Sequence, residues 1–377
     1  MSLWFAASAV APQLATRWGL SASESAWLTT SVQLGFVCGT AIAAVLNLAD
    51  VLPSKVYFAV AALLGAAVNA GVAASAGFAV ALLLRFATGM ALAGVYPPAM
   101  KMAATWFRSR RGLAIGTVVG ALTVGKATPY LVHAIPNAGP AVVLLTASGC
   151  AVVAALLVAA RYSDGPYPFA PRPFSWSLVR TVLARREWRL ATGGYLGHMF
   201  ELYSFWTWIP AFIGASLVAE KGVVSAELAS LIAFGTIAVG GLGCVWGGFE
   251  ADARGRERLV MIAMALSGSC ALLTPTAFGH SLWLLTPLAL AWGFFVIADS
   301  AQFSALVTEA VPPHAVGTAL TVQTSLGFLL TMVSIQLVPP IVQLVGWRWA
   351  FPVLALGPAA GIAAIRRLAS TRIRDTA

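Results

Sequence analysis

The chain has 377 residues, 59% of them hydrophobic and only 10% charged, with a net charge of +10. A soluble protein carries roughly 25% charged residues, so this composition excludes a water-soluble globular enzyme, a disordered chain and a protein with a single membrane anchor. The positive charges lie in short loops between apolar runs, not on a basic face with interleaved aromatics, which excludes a nucleic-acid binder.

Roughly 20 apolar residues span a bilayer. Apolar runs follow one another at about 1–15, 26–48, 55–76, 78–105, 112–134, 140–160, 190–213, 226–249, 259–279, 281–307, 316–340 and 347–365, twelve in all. Backbone groups in hydrocarbon must pair within their own segment, so each run is predicted to be a helix. The runs are long and do not alternate, unlike the strands of a membrane β-barrel. The first run is short: Met1 to Ala15 gives about 22 Å of helix against a hydrocarbon core of about 30 Å. No basic stretch precedes it, as a signal peptide would require. The start of the chain is therefore expected to lie inside the first membrane helix. Pro97 and Pro98 are expected to break or kink the fourth helix.

The longest polar stretch, Arg161 to Arg189, divides six runs from six. Its first part, with Pro166, Pro168, Pro171 and Pro173, reads as an extended linker. Its second part, from Phe174 onward, reads as an amphipathic helix on the membrane surface. The expected organisation is a bundle over 1–160, a linker over 161–189, and a second bundle with a short tail over 190–377.

Loop charge sets orientation. One side carries 17 of the 23 Lys and Arg residues. The other carries Arg17, Lys221 and Arg348, and Arg85, Lys101 and Lys126 fall within runs. Both chain ends and the linker are therefore expected to face the cytoplasm, in a multi-pass plasma (inner) membrane protein. Cys38, Cys150, Cys244 and Cys270 all lie in apolar runs without metal-ligand spacing. They read as small hydrophobic packers, and neither a metal nor a cofactor is expected.

The two halves repeat each other. Gly39 precedes Asp50 by eleven residues, as Gly241 precedes Asp252, and each Asp is followed by basic residues. Parallel six-helix repeats place a binding site near the midplane between them.

The stretch Gly-Gly-Phe-Glu-Ala-Asp252-Ala-Arg254-Gly255-Arg256 resembles the cytoplasmic-loop signature of the major facilitator superfamily. The first-half copy keeps Asp50 and Lys55 but lacks the Gly-Arg pair. Arg85-Phe-Ala-Thr-Gly89 resembles the family's Arg-x-x-x-Gly motif, and Ala104 to Gly116 resembles a junction of its bacterial porters. The resemblance implies an all-α membrane fold of about twelve helices in two pseudo-symmetric six-helix bundles, a secondary transporter and not an enzyme. It also implies that Asp50, Lys55, Asp252, Arg254 and Arg256 form a cytoplasmic gate and that Arg85 takes part in proton movement. The fifth helix lacks the Gly-Pro pair of the family's drug/proton antiporters. The Asn-Gly-Gly signatures of its nitrate porters are also absent.

A charge at the bilayer centre costs about 2.5–3.5 kcal/mol on insertion scales, so the few such residues should face a cavity or a partner. In the seventh run, Gly194, His198, Glu201, Phe205, Trp208 and Phe212 fall on one helical stripe. Glu201 lies near mid-depth and reads as the proton carrier, with His198, an i,i+3 neighbour, as its tuner. Lys126 needs an anionic partner, for which Glu201, Asp299 or a substrate carboxylate are the candidates. Asp299 is a further proton or cation site, with Gln302 nearby, and Tyr96 shares a face with Arg85. The expected proton-coupling set is thus Glu201, His198, Asp299 and Arg85. The expected substrate set is Lys126, Tyr96, Phe205, Trp208 and Gln302.

No P-loop, HExxH or GxSxG occurs, which leaves an ion gradient as the energy source. The expected protein is a monomer that moves a small molecule, a small organic anion, together with protons by alternating access. The other readings are a proton-coupled exporter of a hydrophobic compound and a non-transporting sensor of the same fold.

Overall fold

The computed structural model describes all residues except 108–110, 168–173, 223–224 and 377; for Asp50, Arg111, Gly112 and 373–376 it describes the backbone alone. Among the described residues, eleven helices are long and apolar enough to cross a membrane. With the broken first segment they give twelve traverses. In chain order, α1 is made of Ser2–Trp4, Ala6–Ala9 and Ala11–Trp18. It is followed by α2 (Ala22–Val45), α3 (Ser54–Ala73), α4 (Phe78–Leu92 and Tyr96–Ala104), α5 (Arg111–His133) and α6 (Pro140–Arg161). After the linker come α7 (Arg186–Lys221), α8 (Ala226–Ala238 and Gly240–Arg254) and α9 (Arg256–Ala277). The chain ends with α10 (Leu282–Ala298 and Ser300–Glu309), α11 (Val316–Val345) and α12 (Leu356–Thr376). Among the described residues there is no strand.

Local chemistry sets the ends and breaks. The Ser21 hydroxyl accepts from the Glu24 N–H at 3.2 Å, and the Glu24 carboxylate accepts from the Ser21 N–H at 2.8 Å. This reciprocal capping box starts α2. Gly255, at φ +89°, turns the chain between α8 and α9, a conformation open to glycine. The expected break in α4 lies between Leu92 and Tyr96, just ahead of the two prolines. Proline lacks an N–H, and its ring clashes with the carbonyl one turn earlier. The chain is also interrupted within α8 and α10, and most often within α1. Helix α1 runs as three short pieces, with Phe5 and Val10 outside helical geometry. At the other extreme α7 has 36 residues, about 54 Å long, so it extends past both ends of the 190–213 run.

Packing repeats between the halves. The pairs α2–α4, α3–α4 and α3–α6 of the first half correspond to α8–α10, α9–α10 and α9–α12 of the second. The halves meet along α5–α8 and α2–α11, which exchange under the same correspondence. At α5–α8 the backbones nearly touch. A methyl group placed on Gly120 would lie 2.7 Å from the Gly241 carbonyl oxygen, and one on Gly116 2.6 Å from that of Cys244. Small residues allow such close approach in membranes. The apolar window of α7 is 61% buried against 33% for α6, so α7 is a central helix.

The linker is fastened before and after residues 168–173. The Gly165 N–H donates to Thr105 Oγ1 at 3.0 Å, and the Trp106 indole N–H to the Ser163 carbonyl at 3.1 Å. The expected surface helix is Trp176–Ala184.

Candidate substrate pathway and buried charges

A cavity of about 550 Å³ lies between the halves. Asn47, Lys101, Phe174, Arg256 and Glu309 line it at the linker end, and Phe36, Tyr96, Val119, Gln302 and Thr324 line it deeper in. The linker itself reaches its mouth: the Phe174 N–H donates to Asn47 Oδ1 at 3.3 Å, and the Ser175 N–H to Thr318 Oγ1 at 2.9 Å. One bond goes to each half of the chain. Of the residues expected to contact substrate, Tyr96 and Gln302 line the cavity; Lys126, Phe205 and Trp208 do not.

The inner end of the cavity meets an aromatic layer. Phe36 packs on Trp4 (5.0 Å between ring centroids) and on Phe328 (4.6 Å). Phe328 packs on Tyr203 (5.2 Å), which packs on Trp206 (5.3 Å). Above the layer lies Lys126, only 3% exposed. Its Nζ donates to the Tyr203 hydroxyl at 2.7 Å and lies 4.9, 4.7 and 4.6 Å from the ring centroids of Trp4, Tyr203 and Trp206. The protein partner expected for this lysine was a carboxylate. The structure gives it aromatic faces instead, held by cation–π attraction.

Glu201 is fully inside the second half. Its two carboxylate oxygens accept from Ser267 Oγ of α9 at 2.8 Å and from the Trp292 indole N–H of α10 at 2.9 Å. His198 turns away from it. His198 Nδ1 lies 2.9 Å from Asp299 Oδ1, at ion-pair distance but without hydrogen-bond alignment. Asp299 occupies the break between the two pieces of α10, next to Ser300, which lines the cavity. The break frees Asp299 to meet His198, and this corrects the expectation that the i,i+3 spacing joins His198 to Glu201.

The stripe of Glu201, Phe205, Trp208 and Phe212 faces the second half and not the cavity. Phe205 packs on Trp292 at 4.4 Å and Phe212 on Phe351 at 4.8 Å, while the Trp208 indole N–H donates to the Ile335 carbonyl at 2.9 Å. Tyr203 and Trp206, which the periodicity argument passed over, face the first half. Both stripes of α7 are aromatic and buried, so the helical period alone does not choose between them.

Arg85, in α4, is completely buried. Its guanidinium donates to the carbonyls of Leu28 (3.0 Å), Leu3 (2.8 Å) and Trp4, and to Asn69 Oδ1 (3.2 Å). It holds the broken first helix against α2. No carboxylate pairs with it among the described residues.

The far end, opposite the linker, is closed by contacts between the halves. His133, the last residue of α5, shares one ring nitrogen with Ser230 Oγ of α8 at 2.7 Å and the other with Gln13 Nε2 at 2.6 Å. The Gln336 amide of α11 donates to Thr30 Oγ1 of α2 at 3.3 Å. His133 lies at a helix end, and nothing in the sequence marks Ser230 as its partner.

At the linker end the loop signature forms a network. Arg254 pairs with Glu250 at 2.5 Å, and Arg256 pairs with Glu309 at the end of α10. Arg372 meets Glu257 at 2.6 Å and Glu309 at 3.1 Å. Glu309 was not among the expected gate residues, because it lies far from the signature in sequence. Asp252 and Lys55 are exposed; the Asp50 side chain lies outside the described residues, as do Arg108 and Arg110 of the porter-like junction.

Residues 1–334 match the family model of the Major Facilitator Superfamily. No curated protein matches the sequence. Among solved structures the chain is similar to a bacterial homologue of the human lysosomal transporter Spinster in an inward-facing and occupied conformation. The identity is 14%, the TM-score is 0.70, and the match covers 99% of this chain and 95% of that one. It is also similar to a mutant of the nucleoside transporter NupG, with 14% identity, 97% and 96% coverage and a TM-score of 0.71. The transporter FucP in its outward conformation matches with 17% identity, 97% coverage of each chain and a TM-score of 0.66.

Proposed function

The chain belongs to the Major Facilitator Superfamily and is a secondary transporter of that family, and on this premise we propose that it moves a small organic anion together with protons by alternating access. The bundles over 1–160 and 190–377 rock about the α5–α8 and α2–α11 seams, with the linker over 161–189 on the cytoplasmic side. The charge split of the loops supports that orientation in the plasma membrane, with the protein acting as a monomer.

The observation that carries the reading is the placing of three ionisable groups without solvent in the second half. Glu201 is 2%, His198 2% and Asp299 1% exposed. A carboxylate so placed is expensive to keep charged, and taking up a proton removes that cost. Asp299 adjoins the cavity wall through Ser300 and is the entry point for the proton. Glu201, held by two neutral donors, stores it. Tyr96 and Gln302 contact the cargo in the cavity, and Lys126 binds its negative group at mid-depth. Arg85 supports the coupling by fixing the first helix. The loop network around Asp252, Arg254 and Arg256, with Asp50 and Lys55 as its first-half counterpart, holds one end state. A hydrophobic cargo is the second reading, favoured by Phe36, Met100 and Phe174 along the cavity.

The test is uptake of a radiolabelled monocarboxylate panel into proteoliposomes under an imposed pH gradient. Glu201→Gln keeps an acceptor for the Trp292 N–H, turns the Ser267 contact into one that its amide donates, and is expected to fold normally while losing proton-driven accumulation. Normal accumulation by this variant rejects Glu201 as the proton carrier. Lys126→Ala is expected to raise the half-saturating concentration more than Lys101→Ala does. Equal effects reduce both lysines to general charge balance.

A further inference from the structure

The ammonium of Lys126 is surrounded by groups from both halves of the chain. Lys126 and Trp4 belong to the first half, Tyr203 and Trp206 to the second. Its hydrogen bond goes to a neutral hydroxyl, and no carboxylate pairs with it among the described residues. The aromatic layer through Phe36 and Phe328 separates it from the cavity that opens at the linker end. An anion in that cavity therefore meets no ammonium at the cavity's inner end. Within the closed cage, hydrogen-bond donors are left over. The indole N–H groups of Trp4 and Trp206, two of the rings over Lys126, have no partner among the described residues, and each residue is 1% exposed. Buried donors without acceptors are costly, and a carboxylate has acceptor sites to offer and a charge to match.

We propose that the cage of Trp4, Tyr203 and Trp206 competes with the anionic cargo for the Lys126 ammonium. The anion binds when the halves part at the far end and the cage opens. It is expelled toward the linker end when the rings close over the lysine. The order of events follows from the geometry. Parting the halves moves Tyr203 and Trp206 away from Lys126 and Trp4, exposing the ammonium and the unpartnered donors together. Closing them returns aromatic faces to the cation, and the anion loses its counter-charge before the linker-side path is open to it. This rests on the reading of Lys126 as an anion site and adds to it a mechanism of release.

The experiment is reductive methylation of the purified full-length protein, with the rate at each lysine read by peptide mass spectrometry and sodium acetate as the carboxylate probe. In the wild-type protein Lys126 is expected to react far more slowly than the exposed Lys55. Trp206→Leu removes one face of the cage and is expected to speed the reaction at Lys126 about thirtyfold, the worth of one desolvated cation–π contact. Trp206→Phe, which keeps an aromatic face, is expected to stay near the wild-type rate and reports that packing is intact. Acetate is expected to slow methylation of Lys126 in Trp206→Leu, where it occupies the freed ammonium, and to have little effect in the wild type. A wild-type rate equal to that of Lys55 overturns the proposal, as does a Trp206→Leu rate no faster than wild type. Equal protection by acetate in both proteins overturns the competition while leaving Lys126 as an anion site. A fast Trp206→Leu rate with no protection in either protein removes the anion reading itself, and the competition with it.

Discussion

The two halves treat buried charge in opposite ways. In the first half the charges are basic, and they are held by carbonyls, an amide and aromatic faces: Arg85 by Leu3, Trp4, Leu28 and Asn69, and Lys126 by the cage. In the second half the acids are held by local neutral donors or a local histidine: Glu201 by Ser267 and Trp292, Asp299 by His198. No buried acid of one half pairs with a buried base of the other among the described residues. A salt bridge across the seam would have to be broken in a low-dielectric interior at every cycle, at a cost of several kcal/mol. A cation on an aromatic face is held by about 2 kcal/mol even when desolvated. At mid-depth the seam is crossed by separate cation–ring contacts and one hydrogen bond to a hydroxyl, which leave no acid stranded when they part.

The comparison breaks most visibly at Arg85. Its four charge-assisted hydrogen bonds are worth about 1.5–3 kcal/mol each, and they tie the first piece of α1 to α2 and α3. Arg85→Ala is expected to yield no folded, monodisperse protein in gel filtration. Arg85→Lys keeps the charge but loses the planar fork, and is expected to fold with a lowered melting temperature. A folded Arg85→Ala variant would mean that the first helix is held by packing alone.

The second-half arrangement is sharpened by the His198–Asp299 pair. His198→Leu leaves the Asp299 carboxylate buried without its partner, and removing one member of a buried pair typically costs about 3–5 kcal/mol. The expected outcome is a large drop in thermal stability that the second substitution Asp299→Leu largely restores, because the pair has no member in the first half. Transport is expected to stay lost in the double variant. Failure of the second substitution to recover stability would show that Asp299 serves another partner as well.

Much of this was legible in the sequence. The twelve runs, the linker helix and the α4 break all follow from hydrophobic length and the chemistry of proline, which act locally. The burial of Glu201, Asp299 and Lys126 also follows, because a charge within an apolar run has few places to go. Partners are a different matter. His198 and Glu201 are neighbours on α7, yet one turns to the break in α10 and the other to α9 and α10. Which aromatic stripe of α7 faces the first half depends on the rotation of a helix buried on every side. The pairing of Arg256 with Glu309, and of His133 with Ser230, depends on which ends the fold brings together. Spacing along one element carries none of this.

Outside the membrane the same ion pairs have little value, and the smallest prediction tests that contrast. Arg254 is 60% exposed at its side chain and pairs with Glu250 one turn away. Exposed i,i+4 pairs on helices are worth about 0.3–0.5 kcal/mol. At roughly 2–4 °C per kcal/mol for a folded unit of 150–250 residues, Arg254→Ala is expected to shift the melting temperature by no more than about 2 °C. Arg256→Ala is expected to shift it further, because Glu309 also serves Arg372 and its loss of one partner loosens a network of three helices. If these residues gate the linker end, the effect of Arg254→Ala belongs to rate and not to stability: transport slows or quickens while the melting curve stays in place. A drop in stability approaching that of His198→Leu would mean that the loop signature is part of the fold's support, and that the difference between charges inside and outside the bilayer is smaller than the geometry implies.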